Sequence, residues 1–110
     1  LDEASSAIGL ARAAAREERT RDDLLAVQRD LYKVMAELAF TTEQYPQRVE
    51  LAADRVAWLS DETDALTAEA PPPREFVLAG GTPQGAAVDC ARVIARRAER
   101  RVVALMDEDQ

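Results

Sequence analysis

The sequence predicts an all-α protein, and its composition and the spacing of its apolar residues both support that fold class. Alanine, which has the highest helix propensity, occurs 22 times in 110 residues, and three of the four glycines lie close together at positions 80, 81 and 85. Between Leu24 and Leu38 the apolar residues recur every three or four positions, as on a helix packed in a bundle. We therefore expect an up-and-down helical bundle that forms a single domain over residues 1–110.

The first two predicted helices occupy residues 2–18 and 24–38. The apolar side of the first consists of small residues around one isoleucine: Ala4, Ile8, Ala11 and Ala15. Because alanine side chains are short, this helix buries them only where its neighbours approach closely. The apolar side of the second consists of larger residues: Leu24, Val27, Leu31, Val34 and Leu38, with Leu25 and Met35 beside them.

The third and fourth predicted helices are separated by a segment that cannot be helical. The apolar side of the third consists of Val49, Ala52, Val56, Leu59, Thr63 and Leu66, of which only the threonine is polar. Prolines at 71–73 and an apolar loop at 76–81 follow. Thr82 is suited to cap the last helix, and Pro83 to be its first residue. That helix runs to about Met106, and its apolar side consists of Ala87, Ala91, Ile94, Ala98, Val102 and Leu105.

Charge and composition exclude several classes of protein. The chain has a net charge of −7, one cysteine and no histidine. An acidic chain does not favour non-specific binding to nucleic acid or to an anionic membrane. The lack of histidine removes imidazole-based catalysis and the usual zinc sites, and a single cysteine cannot form an internal disulfide. Without an apolar run of about 20 residues or a secretory signal, the expected location is the cytoplasm.

The last predicted helix carries a concentrated cluster of charge. Arg92, Arg96 and Glu99 follow one another at spacings of four and three, so they share one side of the helix. Three more basic residues are predicted around the other side: Arg97, Arg100 and Arg101. Guanidinium groups at this spacing suit a polyphosphate, because each makes paired, charge-assisted hydrogen bonds and stays ionised. The alternative is a solvated charged surface, which the charge pattern alone favours.

Four other features have a structural explanation beside a functional one. The turn at residues 80–83 offers N–H groups to an anion but lacks the lysine and spacing of a P-loop, so an ordinary helix-start turn is favoured. Phe76 is more simply a core residue than a contact for a flat apolar ligand. Trp58 is interpreted as a packing or subunit contact, and Cys90 as a small buried apolar residue.

The motifs are more specific in their order along the chain than each is alone. Residues 76–82 read FVLAGGT, and Ala91-Arg92 and residues 96–100 follow on the last helix. The upstream motifs are residues 1–4 with Ile8-Gly9, then Gln28, residues 30–32 and residues 37–39. This pattern resembles the signature of the ATP:cob(I)alamin adenosyltransferases of the propanediol-utilisation type, and the resemblance extends from Leu1 to about Leu105.

The resemblance implies a transferase that moves the 5′-deoxyadenosyl group of ATP to cob(I)alamin and releases triphosphate. Members of this family are homotrimers of five-helix bundles, and they bind ATP, with Mg²⁺, and the corrinoid between subunits. A reductase that supplies the reduced corrinoid is a further expected partner. Neither nucleic acid nor a membrane is an expected partner.

The resemblance also assigns roles to five residues. Arg96 and Glu99 match positions that contact ATP. Arg92 matches an arginine that pairs across the subunit interface with the acid matching Asp2, and the resemblance makes Asp2, Arg92 and Arg96 the expected catalytic residues. Phe76 matches an aromatic residue that packs at the corrin and keeps the lower axial base off the cobalt. No protein residue need bind the cobalt, which is consistent with the lack of histidine.

The sequence also departs from the family pattern. A phosphate-wrapping loop and a fifth helix of the family have no counterpart within residues 1–110, so four of five helices are expected. Ala79 stands where proline is usual, and Asp89, where histidine is common, adds an acid near Arg92. Two alternatives are a non-catalytic helical protein of the same descent, which oligomerises or holds a corrinoid, and an unrelated four-helix interaction domain. The latter requires the motif order to arise by chance.

Overall fold

Four helices make up the part of the chain that the structure, a computed structural model, describes: residues 1–39, 52–70, 78 and 80–108. They are α1 (Asp2–Ala14), α2 (Glu18–Ala39), α3 (Ala53–Glu69) and α4 (Pro83–Glu108). These ranges contain no β-strand, which confirms the predicted all-α class. No helix within them is long and apolar enough to cross a membrane.

α1 lies between two other helices, because it packs against both α2 and α4. Its predicted apolar side is buried as expected: Ala4, Ile8, Ala11 and, just beyond the helix end, Ala15. Ala91 of α4 is buried as well. Since these side chains are nearly all methyl groups, they touch their neighbours only where helix axes come close together. The core therefore depends on close approach of helices rather than on large side chains.

α1 and α2 also come close at Gly9. A Cβ atom at this position would lie 3.0 Å from Nε2 of Gln28, which is closer than ordinary van der Waals contact. The same Nε2 donates a hydrogen bond of 3.0 Å to the carbonyl oxygen of Ser5. Glycine inside a helix costs about 1 kcal/mol relative to alanine. Here the missing side chain leaves room for a hydrogen bond that joins the two helices.

The boundary between α1 and α2 differs from the prediction. The first helix ends at Ala14 rather than at residue 18, and Ala15 has an extended backbone with φ −72° and ψ 135°. The second helix begins at Glu18, six residues before its predicted start at Leu24. Apolar spacing could not locate this boundary, because residues 16–23, which follow Ala15, are all charged except Thr20.

Side chains hold the break between α1 and α2 in place. The guanidinium of Arg21 donates hydrogen bonds to the carbonyl oxygens of Ala15 and Arg16, at 3.2 and 2.9 Å. The backbone N–H of Arg16 donates to Oε1 of Gln84, in the first turn of α4, at 2.8 Å. These bonds satisfy backbone groups that a continuous helix would have paired internally. They also fix the start of α4 to the end of α1.

α4 begins as the sequence predicts. Pro83 is its first residue, and Oγ1 of Thr82 accepts a hydrogen bond of 2.9 Å from the N–H of Gly85. Gly80 precedes this cap with φ 106°, a conformation that favours glycine. The apolar side predicted for the helix is buried or half-buried over Ala87, Ala91, Ile94, Ala98 and Val102.

The burial of two residues of α4 differs from the prediction. Leu105, the last member of the apolar side, is 54% exposed. Cys90 is exposed, so its interpretation as a buried apolar residue is wrong. It precedes the buried Ala91 by one position, and a step of one residue turns a side chain by about 100° around the helix.

The apolar side predicted for α3 faces outward. Val56, Leu59 and Leu66 are 62, 49 and 43% exposed, and Thr63 is exposed too, while Val49 lies outside the described residues. No residue of α3 is buried. The side that faces α2 is instead a neighbouring charged stripe with a spacing of seven residues: Arg55, Glu62 and Glu69. Both stripes have helical periodicity, so spacing alone did not identify the one that makes contact.

Arg55 makes a first link between described residues of α3 and α2. Its Nε and Nη2 atoms donate to the Asp30 carboxylate at 3.0 and 3.1 Å. The guanidinium also lies over the ring of Trp58, 4.5 Å from its centroid. Trp58 is therefore a packing residue within α3, which is one of the two interpretations that the sequence left open.

Arg19 makes the second link. It donates to Oε1 of Glu62 from Nε at 3.0 Å and to Oε1 of Glu69 from Nη1 at 2.9 Å. Asp23 lies one turn further along α2, and burial raises the pKa of its carboxyl, while the adjacent Glu62 carboxylate raises it further. This link therefore combines attraction of Arg19 to the Glu62 and Glu69 carboxylates with repulsion between the carboxylates of Asp23 and Glu62.

We predict that Ala11→Leu destabilises the fold by about 1–3 kcal/mol, because no space remains around a residue that is 0% exposed. Urea denaturation followed by circular dichroism measures the change in the free energy of unfolding. The control is Ala13→Leu at an exposed position of the same helix, with an expected change below about 0.5 kcal/mol. Equal losses in both variants would contradict the role given to close packing.

We predict that Asp23→Asn stabilises the attachment of α3 at neutral pH. A raised pKa in the folded state means that stability falls as the pH rises through that pKa, and asparagine removes this loss. Fluorescence of Trp58, the only tryptophan, follows α3 directly. The midpoint of its thermal transition should rise by roughly 2–4 °C at about pH 7 and remain unchanged at about pH 3. The exposed neighbour provides the control variant Asp22→Asn, and a pH-independent gain at Asp23 would refute the explanation.

Candidate functional site

The residues that the sequence predicted as a polyphosphate site lie on the outer side of α4. Arg92, Arg96 and Glu99 are all exposed, whereas Ala91 on the inner side is buried. Their spacing of four and three residues places them along one side of the helix, as expected. Packing of α1 on α4 therefore determines which side of α4 presents these charged groups to solvent.

A shallow depression with a volume of about 420 Å³ adjoins this side. Its lining consists of Arg96, Glu99, Arg100, Val103 and Ala104. The prediction that Arg100 lies around the other side of the helix is wrong. Arg100 follows Arg96 by four residues, and this spacing brings side chains together, so it could have identified the contact. We define the arginine face as Arg92, Arg96, Glu99 and Arg100.

The members of the arginine face differ in their partners. Arg96, Glu99 and Arg100 form no hydrogen bond or ion pair with another residue of the described ranges. Arg92 is paired, because its Nε donates to Oδ1 of Asp89 at 3.0 Å. Two guanidinium groups and one carboxylate of the face are thus free, within the described part of this chain, to bind a ligand.

The predicted pair of Asp2 and Arg92 does not form within one chain. Asp2 is exposed in the first turn of α1 and makes no ion pair with a described residue. Its neighbour Glu3 instead pairs with Arg97, on the inner part of α4. This contact attaches the start of α1 to α4, and the sequence offered no sign of it beyond opposite charges.

The other predicted site positions are distant from the face or are not described. Phe76 lies outside the described residues. The turn at residues 80–83 adjoins a second depression, of about 400 Å³, which Arg16 and Glu17 also line. Thr82 in that turn caps its own helix, which is the structural role that the sequence favoured.

The arginine face is suited to binding and orienting a polyanion. Arg96 and Arg100 offer planar sets of donors that match phosphate oxygens, and the Glu99 carboxylate accepts hydrogen bonds from hydroxyl or amino groups. The described ranges contain no group of three or more histidine, cysteine or acidic side chains that could hold a metal ion. Guanidinium and carboxylate groups bind and orient a ligand through charge and hydrogen bonds.

Comparison with known proteins agrees with these features. A family model described as cobalamin adenosyltransferase matches residues 1–110. The corrinoid adenosyltransferase of Bacillus subtilis (strain 168) is 40% identical over 114 residues, which cover 100% of this chain and 58% of the relative. The corrinoid adenosyltransferase PduO of Citrobacter freundii is 36% identical over 98% of this chain and 32% of its own length. The corrinoid adenosyltransferase of Mycobacterium tuberculosis (strain H37Rv) is 35% identical over 96% of this chain and 56% of its own.

The chain thus spans only about a third to three fifths of the length of these relatives. Within that span, the matched region includes α1, the whole of the arginine face and the turn that precedes α4. Because the family model covers every residue of the chain, the chain belongs to the cobalamin adenosyltransferase family.

Proposed function

We propose that the protein is an ATP:cob(I)alamin adenosyltransferase that acts in the cytoplasm as a homotrimer. The single observation that carries the proposal is that Arg96 and Glu99, on the outer side of α4, have no side-chain partner among the described residues, in a chain that belongs to this family. ATP enters as its Mg²⁺ complex, and a reductase supplies the reduced corrinoid. Residues 1–110 act as one domain of this enzyme.

The arginine face binds the triphosphate of ATP. Arg96 and Glu99 contact the nucleotide, as the family resemblance implies. The neighbouring Arg100, one turn away, adds a second guanidinium that has no partner within the described ranges. Two positive charges one helical turn apart stabilise the negative charge of the leaving triphosphate. That negative charge increases as the bond between C5′ and the phosphate oxygen breaks. The protein supplies no cobalt ligand in this proposal. Mg²⁺ is held by the phosphate oxygens and water, as is usual for nucleotides.

A second copy of the chain covers the arginine face. Val88 and Val103 stand near the two ends of this face and are 38 and 50% exposed, so apolar surface surrounds the charges. Interfaces are enriched in arginine beside apolar residues. Asp2 is exposed and makes no ion pair with a described residue of its own chain, and it is the acid that we assign to Arg92 of the neighbouring subunit. The active site therefore lies between subunits of a trimer.

The reaction exchanges one bond to C5′ of ATP for another. The cobalt of cob(I)alamin donates an electron pair to C5′, the cobalt–carbon bond forms, and the bond from C5′ to the phosphate oxygen breaks. The electron pair of that bond leaves with triphosphate. Orientation supplies much of the rate, because both reactants are held so that C5′ lies over the metal. Phe76 packs at the corrin and excludes the lower axial base, which favours four-coordinate cobalt and its reduction.

An anaerobic spectral assay tests the proposal directly. The protein at its natural full length is mixed with ATP, Mg²⁺ and chemically reduced cobalamin, and the absorbance of adenosylcobalamin is followed. Formation of adenosylcobalamin that depends on ATP supports the proposal. Binding of the corrinoid without product would reject it and favour a non-catalytic protein that holds a corrinoid.

We predict that Arg96→Ala lowers adenosylation by about a hundredfold or more, because an oriented positive charge is lost at the leaving group. The free energy of unfolding should change by less than about 0.5 kcal/mol, since the side chain is exposed and unpaired within the described residues. Arg101→Ala serves as the control, because this exposed arginine is not part of the arginine face. Turnover of Arg96→Ala at the wild-type rate would remove the proposed mechanism.

We predict that Phe76→Ala slows the reduction or transfer step by about tenfold or more while ATP binds with unchanged affinity, because an axial ligand regains access to the cobalt. Single-turnover kinetics measure transfer, and calorimetry measures ATP binding. Leu78→Ala is the matched control, because Leu78 belongs to the same predicted loop, residues 76–81, and is 84% exposed. A loss of ATP affinity with an unchanged transfer rate would contradict the role of Phe76.

A further inference from the structure

Arg92 is the one member of the arginine face that already has a described partner. Asp89 lies three residues before it on α4, and its Oδ1 accepts a hydrogen bond of 3.0 Å from Nε of Arg92 and lies 3.0 Å from Nη2 in the same ion pair. The Arg92 side chain is 56% exposed and that of Asp89 is 38% exposed. The pair is therefore at the surface, where it contributes little to the stability of the fold.

The geometry of this pair leaves a defined part of the guanidinium free. A guanidinium is planar and has five N–H donors, so it offers a side edge, formed by Nε and Nη2, and an end edge, formed by Nη1 and Nη2. Asp89 occupies the side edge. The end edge of Arg92 meets no other acceptor within the described ranges. That edge can take both oxygens of a second carboxylate or phosphate.

We infer that Asp89 is a positioning residue that holds Arg92 by its side edge and presents the end edge to the Asp2 carboxylate of a second copy of the chain. The inference rests on the proposed function, because it needs two copies that meet at the arginine face. Asp2 is the acceptor to which we commit, because the proposed function already assigns it to Arg92 of a neighbouring subunit and because it is exposed, with no ion pair within the described part of its own chain. Asp89 then acts on the reaction only through Arg92.

A positioning role predicts a specific pattern of kinetic changes. Without the Asp89 carboxylate, the Arg92 side chain samples several rotamers, and the subunits fix it in place only at an entropic cost. The site is then assembled less often, which lowers kcat. The KM for ATP should change little, because Arg96 and Glu99 keep their places on the helix. If the end edge of Arg92 held a phosphate of ATP instead, the KM for ATP would rise.

The test compares three variants of the protein at its natural full length. Asp89→Asn removes the negative charge and keeps the shape of the side chain, and Asp89→Glu keeps the charge. The control, Asp61→Asn, removes the same charge from an exposed position on α3. For Asp89→Asn we expect kcat to fall about threefold, in line with the small energy of an exposed ion pair, and KM for ATP to stay within about twofold. Asp89→Glu should restore kcat, and Asp61→Asn should match the wild type. In an Arg92→Ala background, Asp89→Asn should cause no further loss.

A measurement that does not depend on activity accompanies the kinetics. The side-chain Nε–H signal of Arg92, observed in a proton–nitrogen correlation NMR spectrum, should exchange slowly with water in the wild type and in Asp61→Asn, and rapidly in Asp89→Asn. A signal that Asp89→Asn leaves unchanged would overturn the inference, whatever the kinetics. So would an unchanged kcat, or a rise in KM for ATP alone. A wild type without adenosylation activity would reject the proposed function itself, and the inference with it.

Discussion

Close packing of an alanine-rich helix is the interaction on which the rest of this structure depends. α1 buries Ala4, Ile8 and Ala11 and contacts both α2 and α4. In α3, by contrast, no residue is buried. The energy gained per methyl group is small, so the helices must approach to short distances over the whole length of α1. Gly9 contributes to this approach by giving the Gln28 amide access to a carbonyl oxygen of α1. A single larger side chain on this side of α1 would move α1 away from both α2 and α4.

α4 shows how one helix can support both the fold and a site. Its inner side consists mainly of small apolar residues, and its outer side carries the arginine face. The two sets of residues belong to the same helix but lie on different sides of it, so they make few contacts with each other. Charges on the outer side can therefore vary without loss of stability. Asp89 fits this division, because its side chain is 38% exposed and its partner among the described residues, Arg92, belongs to the same helix. Its effect is on the orientation of a neighbour and not on the fold.

The sequence was most informative where spacing and local chemistry agreed. The buried side of α1, the Thr82 cap and the exposed arginines were all predictable, because each depends on residues within one or two helical turns. Partners on different helices were not, and α3 is the clearest case. Its apolar and charged stripes have the same period, and only the positions of Asp30 and Arg19 on α2 decide which one makes contact. The break after Ala14 likewise depends on Gln84, which is distant in sequence.

The contact between α1 and α4 also has a consequence for how the chain folds during synthesis. Glu3 and Arg97 are 94 residues apart, although most contacts in helical proteins are local. On the ribosome, α1 emerges before α2, which can cover one of its sides soon afterwards. The partner for its other side, α4, is synthesised about 5–20 seconds after α1 at ordinary rates of translation. During that interval the alanine side of α1 is only partly covered, so the native core forms only after α4 has emerged.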